Sequence, residues 1–198
     1  MTTPVLDGLT AGGTPDGWGA AGFTVVGDRI RMGGVTVRVT GEPAGVTAWS
    51  LDAADGLPHA AVEPADVTEH ANTTTSIDHV VIASPDLDRT TEAFGTLGLD
   101  LRRTRDAGRM EQRFFRAGEV ILEVIGRPGA HGEGPSTFWG LALTVADLDA
   151  AARLLGDHLG PVTDAVQRGR RIATLRHERL GLHVSVAFMT APPPRDPA

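Results

Sequence analysis

From Ile77 to Ser84 the chain is apolar and β-branched at almost every position, a run of strand length that predicts a strand buried on both faces. The stretch after it, SPDLDRTTEAFGTLGLD, predicts a short helix. Ser84 stands as its N-cap, Pro85 at its first position, Asp86 and Asp88 in its first turn and Gly98 at its stop. LDLRRTRD, RMEQRFFRAG and EVILEVIG follow, punctuated by Ala-Gly at 107–108 and 117–118, and read as a meander of three strands. Residues 76–126 therefore form a βαβββ unit. After the Gly-rich link RPGAHGEGPS, the apolar strand and leucine-periodic helix of FWGLALTVADLDAAARLLGDHLG begin a second unit, 136–190. It is completed by strand candidates in PVTDAV, RRIATLRHE and LGLHVSVAFM.

The two units are copies. Setting SPDLDRT (84–90) on VADLDAA (145–151) brings Asp-Leu-Asp into register with no gap back to the strand start. A weaker echo lies at the N-terminus, where VLDGLTAG has the shape of SIDHVVIAS and GFTVVGDRIRMGGVTVRVTG that of the meander ending RAGEVILEVIG. There Gly8 stands where His79 stands and Arg38 where Glu123 stands. Residues 1–52 are expected to be a degenerate βαβββ-like unit, with GVTAWSL opening a fragment of another. Residues 53–75, rich in Ala, Pro and Thr without periodicity, read as a linker, and 191–198 as a disordered tail.

Composition narrows the chemistry. With 198 residues and 41% apolar content the chain can bury a real core. It has no apolar run long enough for a membrane span and no signal-peptide pattern at its start, so a cytoplasmic protein without membrane contact is expected. The absence of cysteine excludes disulfides and thiolate chemistry, leaving His, Asp and Glu as metal ligands. A net charge of −7 without a basic block argues against a nucleic-acid partner. The arginines of LRRTRDAGRMEQR, interleaved with Asp106 and Glu111, read as a solvated strand pair.

Two βαβββ units opened by DHVVIASPDLDRT and WGLALTVADLDAA resemble the vicinal oxygen chelate superfamily of glyoxalase I, extradiol dioxygenases and bleomycin resistance proteins. The resemblance implies an α+β fold in which the tandem units curl a mixed sheet into a cup. It also implies a divalent metal (Fe, Mn, Ni or Zn) held by one residue on the first and one on the fourth strand of each unit. In the first unit those positions are His79 and Glu123; in the second they fall on Gly140 and Ser185, which replace the expected ligands. His183, two residues before Ser185, would share its face on a strand, so His79, Glu123 and His183 form a candidate two-histidine, one-carboxylate set. An ion pair between His79 and Glu123 without metal is the other reading. Glu123 is the candidate catalytic residue. Trp139 and Phe115 are candidates for lining the cup, and Arg113, with Arg102 and Arg103, for orienting an anionic substrate.

Two functions for the cup stay open at this point, beside a structural role in which the N-terminal copy packs on the tandem pair and the protein acts as a scaffold or regulator. One is a metal-dependent lyase, isomerase or dioxygenase acting on a small oxygen-bearing molecule. The other is a metal-free sequestering protein of the bleomycin-resistance type. Three units cannot all pair within one chain, so the N-terminal copy is expected to close on a partner chain as a homodimer, to cover the back of a sheet, or to displace the usual pairing.

Overall fold

The computed structural model describes residues 4–193, so most of the expected tail, 194–198, lies outside the described residues. The chain runs β1 (Gly8–Gly13), α1 (Pro15–Ala20), β2 (Arg29–Met32), β3 (Val35–Val39) and β4 (Gly41–Trp49), then β5 (Thr74–Ala83), α2 (Leu87–Thr96), β6 (Arg103–Asp106), β7 (Glu111–Ala117) and β8 (Val120–Gly126). It ends with β9 (Thr137–Val145), α3 (Leu148–Leu155), β10 (Thr163–Asp164), β11 (Arg171–Thr174) and β12 (Val186–Thr190). The fold is α+β, with two βαβββ units joined in one curved, open, eight-stranded sheet of order β10-β11-β12-β9-β5-β8-β7-β6. In each unit the first strand lies parallel to the fourth, β5 to β8 and β9 to β12. The two first strands meet antiparallel at the centre.

Side chains alternate across each strand, so the register fixes two faces. Val80, Ile82, Leu122, Val124, Phe115, Leu141, Leu143, Val186 and Phe188 point to the outer face and are almost wholly buried. Helix α2 covers it with Leu87 and Phe94, whose ring stands 5.0 Å from Phe115, and α3 contributes Leu148, Ala151 and Leu155. The inner face carries rows read straight across the ladder: Arg103, Phe114, Glu123, Val81 and Gly140 in one, Arg116, Ile121, His79, Ala142, Ala187 and Thr174 in the next. It is the concave side.

The N-terminal strands form a separate four-stranded sheet, order β2-β3-β1-β4, that closes the rest of the outer face. Trp49 of β4 packs between Phe94 and Phe138, and Phe23 meets Phe188. The apolar surface that tandem units leave behind their sheet is thus covered from within the chain. In this small sheet Gly8 lies opposite Thr36 and Thr10 opposite Arg38, the same offset that sets His79 opposite Ile121 and Val81 opposite Glu123. Its equivalent of the cup is filled by residues 53–73. A Cβ on Gly8 would come within 2.9 Å of Val62 Cβ, and the Ala65 N–H donates to Thr36 Oγ1. Asp55 anchors the segment, buried and accepting from Arg89, Thr90 and Ser136.

Helix α2 begins two residues later than the sequence suggests. Asp86 is the N-cap, accepting from the N–H groups of Asp88 and Arg89, while Ser84 Oγ accepts from the Asp86 N–H and only shapes the turn before it. The carboxylate wins the cap because one of its oxygens, Oδ1, accepts from two orphan N–H groups at once. The helix stops as expected where Gly98 takes a left-handed φ of 80°.

Candidate active site

The concave face encloses a cavity of about 700 Å³ whose floor includes His79, Val81, Glu123, Ile125, Gly140 and Ala142. Phe114 and Gln112 form one wall, Ile172 and Thr174 of β11 the other, and Trp139, Met110 and Val166 stand exposed at the rim. An apolar bowl with a few convergent polar groups is the usual form of a small-molecule site.

His79 is 4% exposed and reaches this floor through a bulge. Ile77 pairs with Leu143 and His79 with Ala142, which leaves Asp78 as an extra residue in β5. A bulge turns consecutive side chains out of strict alternation, so the Asp78 carboxylate and the imidazole beside it come together. His79 Nδ1 is hydrogen-bonded to Asp78 Oδ2. Asp78 also accepts from Arg170 Nη1 and Nη2 at 3.1 and 2.8 Å and from Thr144 Oγ1 at 3.1 Å, and Arg170 Nε donates to the Thr190 carbonyl at 2.7 Å. Burial pushes the Asp78 carboxyl up, but the hydrogen bonds and charges of His79 and Arg170 outweigh it and hold it well below the usual carboxylate range. The carboxylate stays ionised and occupies Nδ1, so Nε2 is the ring nitrogen left for the cavity that His79 lines.

Glu123 sits on the same face, opposite Val81 and two rungs from His79. Gln112 Nε2 donates to its Oε1 at 2.7 Å. Burial pushes its carboxyl above the usual value, a larger effect than the opposing charges of His79 and Arg105. The floor therefore pairs an oriented imidazole with a carboxyl group that burial biases toward its protonated form.

For a carboxyl whose folded value is raised, the cost of burial is absent when it is protonated in both states and grows as pH rises through the raised value. Glu123→Gln keeps an acceptor for Gln112 and removes that cost. It is expected to raise stability on the order of 1 kcal/mol at pH 8 and to leave it unchanged at pH 3, as read by urea unfolding at the two pH values.

The remaining expected ligands do not assemble. The β9–β12 register sets Val186 opposite Leu141 and Ala187 opposite Ala142, so the residue equivalent to Glu123 is Ala187, two positions beyond Ser185. The error lay in carrying the strand phase through residues 181–185. Strand β12 begins only at Val186, after a 3-10 turn over His177–Leu180 and Gly181 in the left-handed region. His183 therefore never enters the ladder. It is not a cavity-lining residue, and its Nδ1 lies 3.3 Å from Glu42 of the N-terminal sheet. Gly140 holds the expected first-strand position, but a Cβ there would stand 2.7 Å from the Ser185 carbonyl oxygen. The close approach of β9 to the chain at Ser185, rather than space for a ligand, requires the glycine. Gly140→Ala is expected to lose about 1–3 kcal/mol, measured as a fall in the urea midpoint.

Among the described residues, no three His, Asp or Glu groups converge as a metal centre, and a site with two protein donors and non-ligating Gly140 and Ala187 does not fit the three- or four-ligand centre that the resemblance implies. Two other expected residues do not line this cavity. Arg113 and Phe115 share the outer face of β7: Phe115 is 1% exposed in the core, and Arg113 donates to the Leu87 carbonyl and Thr91 Oγ1 and pairs with Asp88 and Glu111. Alternation gives the cup Gln112 and Phe114 instead. Trp139 does line the cavity. It is the extra residue of a second bulge, between the Val81–Gly140 and Ile82–Phe138 pairs, equivalent in the repeat to the bulge at Asp78. Sequence reasoning passed over Asp78, although an acid inside an apolar run is the same signal that Glu123 gave; Arg170 and Thr144 had no signal at all.

A family model described as the Glyoxalase/Bleomycin resistance protein/Dioxygenase superfamily matches residues 78–174. No curated protein matches the chain. Among solved structures, methylmalonyl-CoA epimerase from Mycobacterium tuberculosis is similar with 20% identity and a TM-score of 0.51, over 65% of this chain and 94% of the other. A triple mutant of 4-hydroxymandelate synthase from Streptomyces coelicolor is similar with 16% identity and a TM-score of 0.62, over 98% of this chain and 94% of the other. A halotolerant catechol dioxygenase gives 12% identity and a TM-score of 0.57, over 96% and 86%. The last two likenesses extend across the N-terminal sheet as well as the cup.

Proposed function

From the premise that this chain belongs to the Glyoxalase/Bleomycin resistance protein/Dioxygenase superfamily, we propose that it binds a small oxygen-bearing molecule in the cup and transfers a proton on it, as an isomerase or lyase does. His79 Nε2 is the base that takes the proton from carbon, and Glu123 is the acid that donates to the oxygen on which charge develops. The observation that carries this reading is the Asp78–His79 pair, held by Arg170 and Thr144, which aims one imidazole nitrogen at a cavity that a protonatable carboxyl also faces. An oriented base and a carboxyl that burial biases toward its protonated form, on one rigid sheet, are what enolisation beside a carbonyl requires. Apolar walls exclude water and strengthen both groups.

The protein is to be screened in D₂O against small carbonyl and hydroxy acids, with NMR reading loss of a C–H signal. Wash-in of deuterium at one carbon supports the reading. Ligands that bind without any exchange would overturn it in favour of a sequestering protein in the same cup. A divalent-metal enzyme, the other reading that the family suggests, is tested by elemental analysis: stoichiometric metal in the purified protein, lost in His79→Ala, would replace direct acid–base transfer by metal-assisted chemistry. A homodimer is part of the same proposal, since the exposed rim groups Trp139, Met110 and Val166 would gain cover from a second copy; light scattering reads the mass.

A further inference from the structure

The cup has a second lobe of about 650 Å³ that shares His79, Arg105, Phe114, Val166 and Gln167 with the first. Its lining is of another kind. Arg102, Arg103 and Arg105 of the β6 edge, Arg116 of β7, and Arg168 and Arg170 of the β10–β11 hairpin surround it, and no carboxylate lines it. The ladder explains the near wall: Arg103 pairs with Phe114, Arg105 with Gln112 and Arg116 with Ile121, so all three stand on the concave face. The curvature of the sheet brings the far hairpin over to meet them.

Six guanidinium groups around one hollow are out of keeping with a chain whose net charge is −7. Arg170 is committed to Asp78, Arg102 stands 3.7 Å from Asp100, and Arg116 Nε donates to the Gly118 carbonyl. Arg103, Arg105 and Arg168 have no ion pair among the described residues. Guanidinium groups gathered around one hollow without counter-charges repel one another, and a bound anion relieves that repulsion. Its planar donor forks match the oxygens of a phosphate, and several together exceed what a single carboxylate can neutralise.

We propose that this lobe binds the phosphoryl group of a phosphate-ester or diphosphate substrate whose reacting carbon lies in the first lobe, at His79 and Glu123. Arg103, Arg105 and Arg168 grip the phosphoryl oxygens, and the shared wall at Phe114 sets the distance from that anchor to the proton-transfer pair. The inference rests on the cup being the substrate site, and it narrows the substrate class from oxygen-bearing molecules in general to those that carry a phosphate. A concave site of this size takes one ligand tail and leaves no platform for a nucleic-acid backbone.

Isothermal titration calorimetry with inorganic pyrophosphate tests it, with citrate as the polycarboxylate arm. Saturable pyrophosphate binding is expected, at least tenfold tighter than citrate, weakened at least tenfold in Arg103→Ala/Arg105→Ala and in Arg168→Ala, and unchanged in Arg153→Ala on exposed α3. Circular dichroism checks that the variants fold, and the Arg168 variant, altered in an exposed hairpin, keeps the test open if the double variant does not. Absence of saturable binding, equal affinity for citrate, or affinity unchanged in the arginine variants would overturn the proposal. Glu123 lines only the first lobe, so the two readings fail separately. Arginine-dependent pyrophosphate binding without deuterium exchange upholds the lobe and removes only the proton-transfer function.

Discussion

Arg170→Ala is expected to destabilise the protein by about 3–5 kcal/mol, because it leaves the buried Asp78 carboxylate with His79 and Thr144 but without its counter-charge. In a chain of this length that is a fall in Tm on the order of 10 °C, measurable by calorimetry. The sign with pH follows from the depressed folded value of Asp78. The pair's contribution is fully present above the ordinary carboxylate range and is lost as pH falls below it, so wild type and variant should converge in acid. Asp78→Asn/Arg170→Met should recover much of the loss, since removing both charges also removes their desolvation cost. If Arg170→Ala melts with wild type at pH 7, the pair is not holding the floor of the cup.

His79→Ala should lower deuterium exchange on a substrate found by the screen by about 10²–10⁴-fold, the range of a positioned general base. The fold should survive, since the ring stands at the cavity wall rather than in the outer-face core. Asp78→Asn distinguishes orientation from simple presence. An amide in place of the carboxylate no longer demands the Nδ1–H tautomer, so ¹⁵N histidine spectra should show the tautomer mixture change along with a fall in rate. A rate unaffected by His79→Ala would remove the imidazole from the chemistry and leave Glu123 alone in it.

Much of this was legible in the chain. The repeat of Asp-Leu-Asp, the apolar strands before it and the Ala-Gly turns after it specify two βαβββ units, because strand and helix periodicities and capping act locally and show in the order of residues. The same local logic marks His79 and Glu123, whose cost inside apolar runs is visible without coordinates. It failed where phase must be carried across an irregular segment. One missed turn before β12 moved the equivalent of Glu123 from Ser185 to Ala187 and took His183 out of the sheet. On β7 nothing local said which of Phe114 and Phe115 faces the cup.

The sequence by itself determined the units, their order and the central pair of titratable groups, since each depends on neighbours along the chain. Only the tertiary structure decided what surrounds them. A bulge against β9 turned Asp78 toward His79, Arg170 came 92 residues along the chain to hold it, and the two edges of a curved sheet met to line one lobe with arginine. Those contacts are set by strand register and sheet curvature, which arise from packing between distant segments and leave no pattern in any one of them.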